Sequence, residues 1–101
     1  MRVVQHPLAT AEIGEAARYY EQRVNGLGVQ FLEEVDDAVR TVVAMPRCWT
    51  VIEKGVRRYQ LQRFPLSLYY RIGADCIHIL ACQHHSRHPG YWRRRLGDEK
   101  G

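Results

Sequence analysis

The chain has 101 residues, of which 46% are hydrophobic, and a formal net charge of +4. That length suits one hydrophobic core, so we expect a single domain over residues 1–101. No stretch approaches the roughly 18 consecutive apolar residues of a membrane helix, and no signal-peptide core precedes Pro7. The three cysteines are an odd number without CxxC spacing, which argues against a disulfide framework. These features predict a cytoplasmic protein with no membrane partner.

The first half of the chain predicts a short strand followed by two helices. The strand lies at Arg2–Gln5, and apolar residues then recur at helical spacing over Pro7–Val24 and Phe31–Val42. Asn25 and Gly26, which tolerate left-handed backbone, separate the helices. A connection this short predicts an antiparallel helical hairpin. Four carboxylates are expected to form the solvent-exposed face of the second helix: Glu33, Glu34, Asp36 and Asp37.

The second half changes to a period of two, which predicts strands at Val56–Gln62, Leu66–Ile72 and Cys76–Gln83. Short connections imply an antiparallel meander, and the N-terminal strand must join this sheet to satisfy its backbone. The sequence therefore predicts an α+β fold, with the helical hairpin packed on one face of a small antiparallel sheet. We expect the other face to be exposed, because Arg, Gln, Tyr and His side chains alternate along it. Cys76 and Cys82 are expected in the core.

Charge is distributed unevenly between the two halves of the chain. Residues 1–50 carry five basic and seven acidic side chains, whereas residues 51–101 carry ten basic and four acidic ones. Thirteen of the cations are arginines, the residue type that suits bidentate contacts with phosphate or carboxylate. The second half is therefore expected to meet an anionic partner.

The segment Gln83–Arg95 concentrates the groups that suit chemistry on a nucleic acid. Histidine and tyrosine can transfer protons, and arginine can stabilise charge on a phosphate. Alternation along a strand would place His84 on the same side as His78 and Cys82, with His85 opposite, so at most one of the pair is expected to act. Two structural alternatives stay open. The histidines can fix the last strand by hydrogen bonds, and Tyr91-Trp92 can anchor the tail by packing.

The same segment holds the ligand types of a zinc site, including a His-x3-His spacing from His84 to His88. Pro89 makes helical presentation of these residues unfavourable, so we predict no metal and no cofactor.

The order of motifs along nearly the whole chain resembles the RelE/ParE superfamily of toxins from bacterial type II toxin–antitoxin systems. The matching segments are Tyr19-Tyr20, Gly26–Gly28, Phe31–Val35, Pro46 with Trp49, Gly55–Tyr59, Arg63–Arg71, Ile77–Ala81 and His84–Trp92. The Arg-Phe-Pro strand and the His-Pro-Gly-Tyr-Trp tail are closer to the ParE-like, plasmid-stabilisation branch.

The resemblance implies a toxin that is neutralised by a cognate antitoxin and that inhibits growth by acting on DNA gyrase, as ParE-like members do. The alternatives are a ribosome-dependent mRNA endoribonuclease, as in RelE-like members, or a non-toxic nucleic-acid-binding module. Candidate catalytic residues are His84, His85, Arg87 and Tyr91. Candidate residues for binding the target or a nucleic acid are Arg57, Arg58, Arg63, Arg71, Arg93, Arg94 and Arg95.

Overall fold

A computed structural model describes residues 1–85 and 91–98 of the chain. Two long helices follow a short first strand, as predicted. Four further strands and a 3₁₀ helix complete the described part. In chain order the elements are β1 (Arg2–Gln5), α1 (Pro7–Arg23), α2 (Leu27–Ala44), β2 (Val51–Glu53), β3 (Val56–Gln60), β4 (Leu66–Ile72), β5 (Cys76–His84) and the 3₁₀ helix (Tyr91–Asp98).

The strands form one five-stranded sheet in the order β1-β5-β4-β3-β2. Strands β2 to β5 are antiparallel neighbours, whereas β1 pairs in parallel with β5. The sheet is mixed because the chain passes through both helices before it returns beside β1. This arrangement confirms the predicted α+β fold and the recruitment of the first strand. It adds β2, a three-residue strand that the sequence did not predict.

The main core lies between the helical hairpin and one face of the sheet. Phe31 and Val42 of α2 pack there with Tyr70 and Ile79 of the central strands. The two helices approach closely at Gly28, where a Cβ atom would lie 2.5 Å from the Ala17 carbonyl oxygen. Only glycine therefore fits this crossing, and the hairpin is fixed where the sequence predicts it.

The opposite face of the sheet, which we call the second face, is not the open polar surface expected from the sequence. Val56, Tyr69, Leu80 and Ala81 form a second core there, with Trp92 of the 3₁₀ helix fully buried against them. The Trp92 ring stacks on Tyr69 at a centroid distance of 6.2 Å. The expectation of an exposed second face was wrong, because apolar residues interrupt its polar alternation and the C-terminal helix covers them. The anchoring role predicted for Trp92 is confirmed.

The acidic face of α2 is exposed at three of its four positions, and Glu34 is the exception. Its carboxylate, whose side chain is 15% exposed, accepts hydrogen bonds from the backbone N–H of Gln62 (2.6 Å) and Arg63 (3.1 Å). It also pairs with the Arg63 guanidinium at 3.1 Å. The prediction of a fully solvated face was therefore wrong at Glu34, which ties the β3–β4 connection to the helical hairpin.

Candidate target-binding surface

A β-bulge in β5 decides which side chains reach each face of the sheet. Tyr69 pairs with Ala81 and Tyr70 pairs with Ile79, so Leu80 is an extra residue in β5. Such an insertion reverses the alternation of the residues that follow it. His78 therefore lies on the opposite face from Cys82. The predicted common side is confirmed for Cys82 and His84 but was wrong for His78, because strand alternation was extended through a bulge that the sequence does not reveal.

His84 and His85 lie on opposite sides of the sheet, with ring centroids 6.0 Å apart. The His84 side borders a groove against α1, whereas His85 extends the second face. The His85 backbone N–H donates to the Pro65 carbonyl (3.1 Å), and its Nδ1 lies 3.1 Å from the buried Ser67 Oγ. This separation agrees with the expectation that at most one of the two histidines can act at a given site.

Tyr91 packs edge-on against Tyr69 at a centroid distance of 6.2 Å, and the Arg95 guanidinium lies 5.2 Å from its ring centroid. Burial raises the pKa of the Tyr91 hydroxyl far above its usual value, and the nearby Glu12 carboxylate adds to the rise. A phenol so difficult to ionise is a poor proton donor near neutral pH. Arg87, the remaining catalytic candidate, lies outside the described residues. The three described candidates therefore do not converge on one point.

A polar cluster occupies the end of the second face nearest to His85. It comprises Arg58 of β3, Ser67 and Tyr69 of β4, and His85. Arg58 lies opposite Tyr69 in the β3–β4 register, and burial raises the pKa of the Tyr69 hydroxyl although the positive charge of Arg58 opposes the rise. The pKa of His85 is lowered, first by desolvation and then by the positive charges of His84 and Arg58. Sequence reasoning found Arg58 and His85 but missed Ser67, which only the strand register brings to the cluster.

The seven candidate binding arginines form two groups. Some are buried or bonded to other parts of the fold, and the others lie on or near the second face. Arg57 donates from Nη1 to the carbonyls of Arg47 (3.1 Å) and Trp49 (2.7 Å), and Arg63 is held by Glu34. Arg95 is buried. Arg58 and Arg71 lie half-buried on the second face, and two arginines of the 3₁₀ helix are exposed: Arg93 and Arg94.

Arg93 and Arg95 join the 3₁₀ helix to the rest of the fold through carboxylates. Arg93 donates to both oxygens of Glu53 at 2.6 and 2.8 Å, in an exposed pair. Arg95 forms a buried fork with Glu12 of α1, at 3.0 and 2.7 Å, and its Nη1 also donates to the Leu80 carbonyl at 2.9 Å. Arg95 is thus part of the scaffold rather than a charge offered to a partner.

An open groove of about 570 Å³ lies on the helix side of the sheet, between α1 and the ends of β4 and β5. Its floor includes Tyr20, Leu66 and Cys82, and burial raises the pKa of the Cys82 thiol to about 12, so that this thiol stays protonated. Glu15 lies at its rim with Tyr19, a residue that is 51% exposed. The sequence did not predict this groove, because it joins residues that are distant along the chain.

The part of the chain that the structure describes contains neither a cluster of metal-ligand side chains nor a membrane-spanning helix. Within residues 1–85 and 91–98, no three or more His, Cys, Asp and Glu side chains come together as a metal site would require. No helix among those residues combines the length and apolar character needed to cross a bilayer. His88, one of the zinc-ligand types noted in the sequence, lies outside them.

Comparison with known proteins gives a family match and a structural match. A family model described as the ParE toxin of type II toxin–antitoxin system, parDE, matches residues 3–89. Among solved structures, the chain is similar to one from the chromosomal ParDE toxin–antitoxin system of P. aeruginosa, with a TM-score of 0.63 and 22% identity. That match covers 83% of this chain and 95% of the other, and it supports the fold. A search of curated proteins finds no match.

Proposed function

Because the chain belongs to the ParE toxin family of type II toxin–antitoxin systems, we propose that it arrests bacterial growth by acting on DNA gyrase. The observation that carries this proposal is the family match over residues 3–89, which spans the helical hairpin and the whole sheet. ParE-like members of the superfamily poison gyrase, whereas RelE-like members cleave mRNA on the ribosome. Membership in the ParE family therefore favours gyrase as the target.

The arrangement of the candidate catalytic residues favours a protein that binds its target without cutting RNA. Cleavage through a 2′-hydroxyl needs a base and an acid that face the same phosphodiester. His84 and His85 lie on opposite sides of the sheet, and burial raises the pKa of the Tyr91 hydroxyl, which makes it a weaker acid. Of the two candidate histidines only His85 lies at the second face, and the buried His78 lies at the other end of β5, which leaves one of the two proton transfers without a described partner. A binding mechanism requires no such pair.

The cognate antitoxin would neutralise the protein by covering the groove on its helix side. The groove combines an apolar floor with the Glu15 carboxylate and the exposed Tyr19 ring at its rim. An antitoxin segment that places apolar side chains on the floor and a basic side chain beside Glu15 would match both features. The groove lies next to β5, so an extended or helical segment can lie along the end of the sheet.

Expression of the chain alone in a bacterium tests this proposal. Growth should stop, DNA-damage signalling should rise, and co-expression of the antitoxin from the same operon should restore growth. Primer extension on abundant translated mRNAs should show no new cleavage sites. Normal growth despite verified soluble protein would contradict the toxic role. Early codon-specific cleavage of mRNA without DNA damage would contradict gyrase as the target and indicate the ribosome instead.

A further inference from the structure

His85 is held in one orientation at the margin of the second face. Its backbone N–H donates to the Pro65 carbonyl, which fixes the chain just beyond β5. Its Nδ1 lies 3.1 Å from Ser67 Oγ, and Ser67 is fully buried in the middle of the sheet. The imidazole itself is exposed. A buried hydroxyl thus orients an exposed ring, and the second ring nitrogen, Nε2, is directed away from Ser67.

Arg58 supplies a positive charge beside this ring. In the β3–β4 register Arg58 is opposite Tyr69 and Gln60 is opposite Ser67, so Arg58 and Ser67 are diagonal neighbours on one face. The Arg58 side chain is half-buried, and its charge also opposes the rise that burial causes in the pKa of the Tyr69 hydroxyl. Among residues 1–85 and 91–98, the charged or titratable neighbours that act on His85 are His84 and Arg58, and both disfavour its protonation. The Arg58 guanidinium therefore gives the surroundings of the ring a positive charge, which favours an anionic ligand.

We propose that Arg58 and His85 bind one phosphate group of a nucleic-acid backbone, and that Ser67 is the positioning residue for His85. With the Ser67 hydroxyl donating to Nδ1, the proton of the neutral ring lies on Nε2, which then donates to a phosphate oxygen. The Arg58 guanidinium donates to a second oxygen of the same phosphate. The inference goes beyond gyrase as a target, because it assigns a ligand to the second face, and a phosphodiester can come from RNA or DNA.

Inorganic phosphate is the first probe, with the His85 ring observed by NMR in the full chain. Bound phosphate should raise the pKa of His85, since an anion favours the imidazolium form. Ser67→Ala should alter the ring-nitrogen shifts that report the tautomer and weaken phosphate binding, whereas Ser67→Thr, which keeps the hydroxyl, should restore both. A denaturation curve confirms that each variant is folded. A His85 pKa that does not respond to saturating phosphate would overturn the proposal.

Labelled single-stranded RNA and DNA oligonucleotides of one sequence are the second probe. Arg58→Gln and His85→Gln should each weaken binding about tenfold, the equivalent of one charge-assisted hydrogen bond of about 1.4 kcal/mol. Arg58→Gln removes a cationic partner of the phosphate and should also reduce the slope of log K against log salt by about 0.7. Arg40→Gln removes the same charge from α2, on the other side of the sheet, and serves as the matched control.

Weakening with both oligonucleotides would assign the site to the phosphate alone, and weakening with RNA only would add a 2′-hydroxyl contact. Either result supports the site. Reductions of affinity and of salt slope no larger than those of Arg40→Gln, for both nucleic acids, would overturn it. Because this assay contains no gyrase, its outcome is independent of whether gyrase is the target.

Discussion

Removal of one partner of the buried ion pair between Glu12 and Arg95 should cost more stability than removal of a partner from any exposed ion pair of this fold. Strand β1 ends opposite Ile79, and beyond that point Glu12 and Arg95 take over the edge of β5. Glu12 accepts from the Cys82 N–H at 3.0 Å, and Arg95 donates to the Leu80 carbonyl at 2.9 Å. Their side chains are 12% and 10% exposed. The pair thus replaces a missing strand and joins α1 to the 3₁₀ helix.

Glu12→Ala leaves the Arg95 guanidinium buried without its counter-ion and the Cys82 N–H without its acceptor. Breaking a buried pair of this kind costs about 3–5 kcal/mol. Domains of this size are stable by only about 5–15 kcal/mol, so the variant should lose a large fraction of its stability. Arg95→Met, which removes the charge and keeps most of the apolar volume, should cost less than Glu12→Ala.

Urea unfolding followed by tryptophan fluorescence measures these differences, because Trp92 is buried within the 3₁₀ helix that carries Arg95. In the double variant Glu12→Ala/Arg95→Met the destabilisation should be smaller than the sum of the two single effects by more than about 0.5 kcal/mol, the limit for independent sites. The exposed pair Glu53–Arg93 provides the control, and Arg93→Met should have a much smaller effect. Additive effects, or a Glu12→Ala effect no larger than that of Arg93→Met, would refute the reasoning.

Three further predictions follow from the packing and the electrostatics. Trp92→Ala should destabilise the fold by about 3–5 kcal/mol, because it empties the second core; a destabilisation below about 1 kcal/mol would show that the core collapses without cost. Glu34→Gln should lower stability by about 1–3 kcal/mol in urea unfolding, whereas Glu33→Gln, on the exposed face, should leave it unchanged. The hydrogen bonds from Arg93 lower the pKa of Glu53 below its usual 4.5. Their stabilisation should therefore be present above that pH and be lost as the pH falls through the lowered pKa, so Arg93→Gln should reduce the urea midpoint more at about pH 7 than at about pH 3; equal reductions at both would contradict this assignment.

The helices and the longer strands could be predicted from the spacing of apolar residues, because each is long enough for that spacing to repeat. Strand β2 has three residues, Val51–Glu53, which is too short to show alternation. The 3₁₀ helix at Tyr91–Asp98 gave no helical signal, yet Trp92 was expected to anchor the tail because a large aromatic side chain gains most from burial.

The sequence predicted the types of residue in the candidate site but not how the fold arranges them. The extra residue at Leu80 changes which face each later side chain occupies, and no local sequence feature marks it. The Arg95–Glu12 contact joins residues 83 positions apart, so composition alone made Arg95 look available to a partner. In the sequence, Ser67 is one more polar position on a strand. Its role depends on the register that places it beside His85.

The most direct test of the central claim is a DNA cleavage assay with purified gyrase, supercoiled plasmid, ATP and the purified chain. The account predicts that the chain stabilises gyrase–DNA cleavage complexes, seen as linear DNA after denaturation, and that the antitoxin abolishes the effect. Full supercoiling activity without cleavage complexes, at concentrations of the chain that arrest growth in cells, would contradict it.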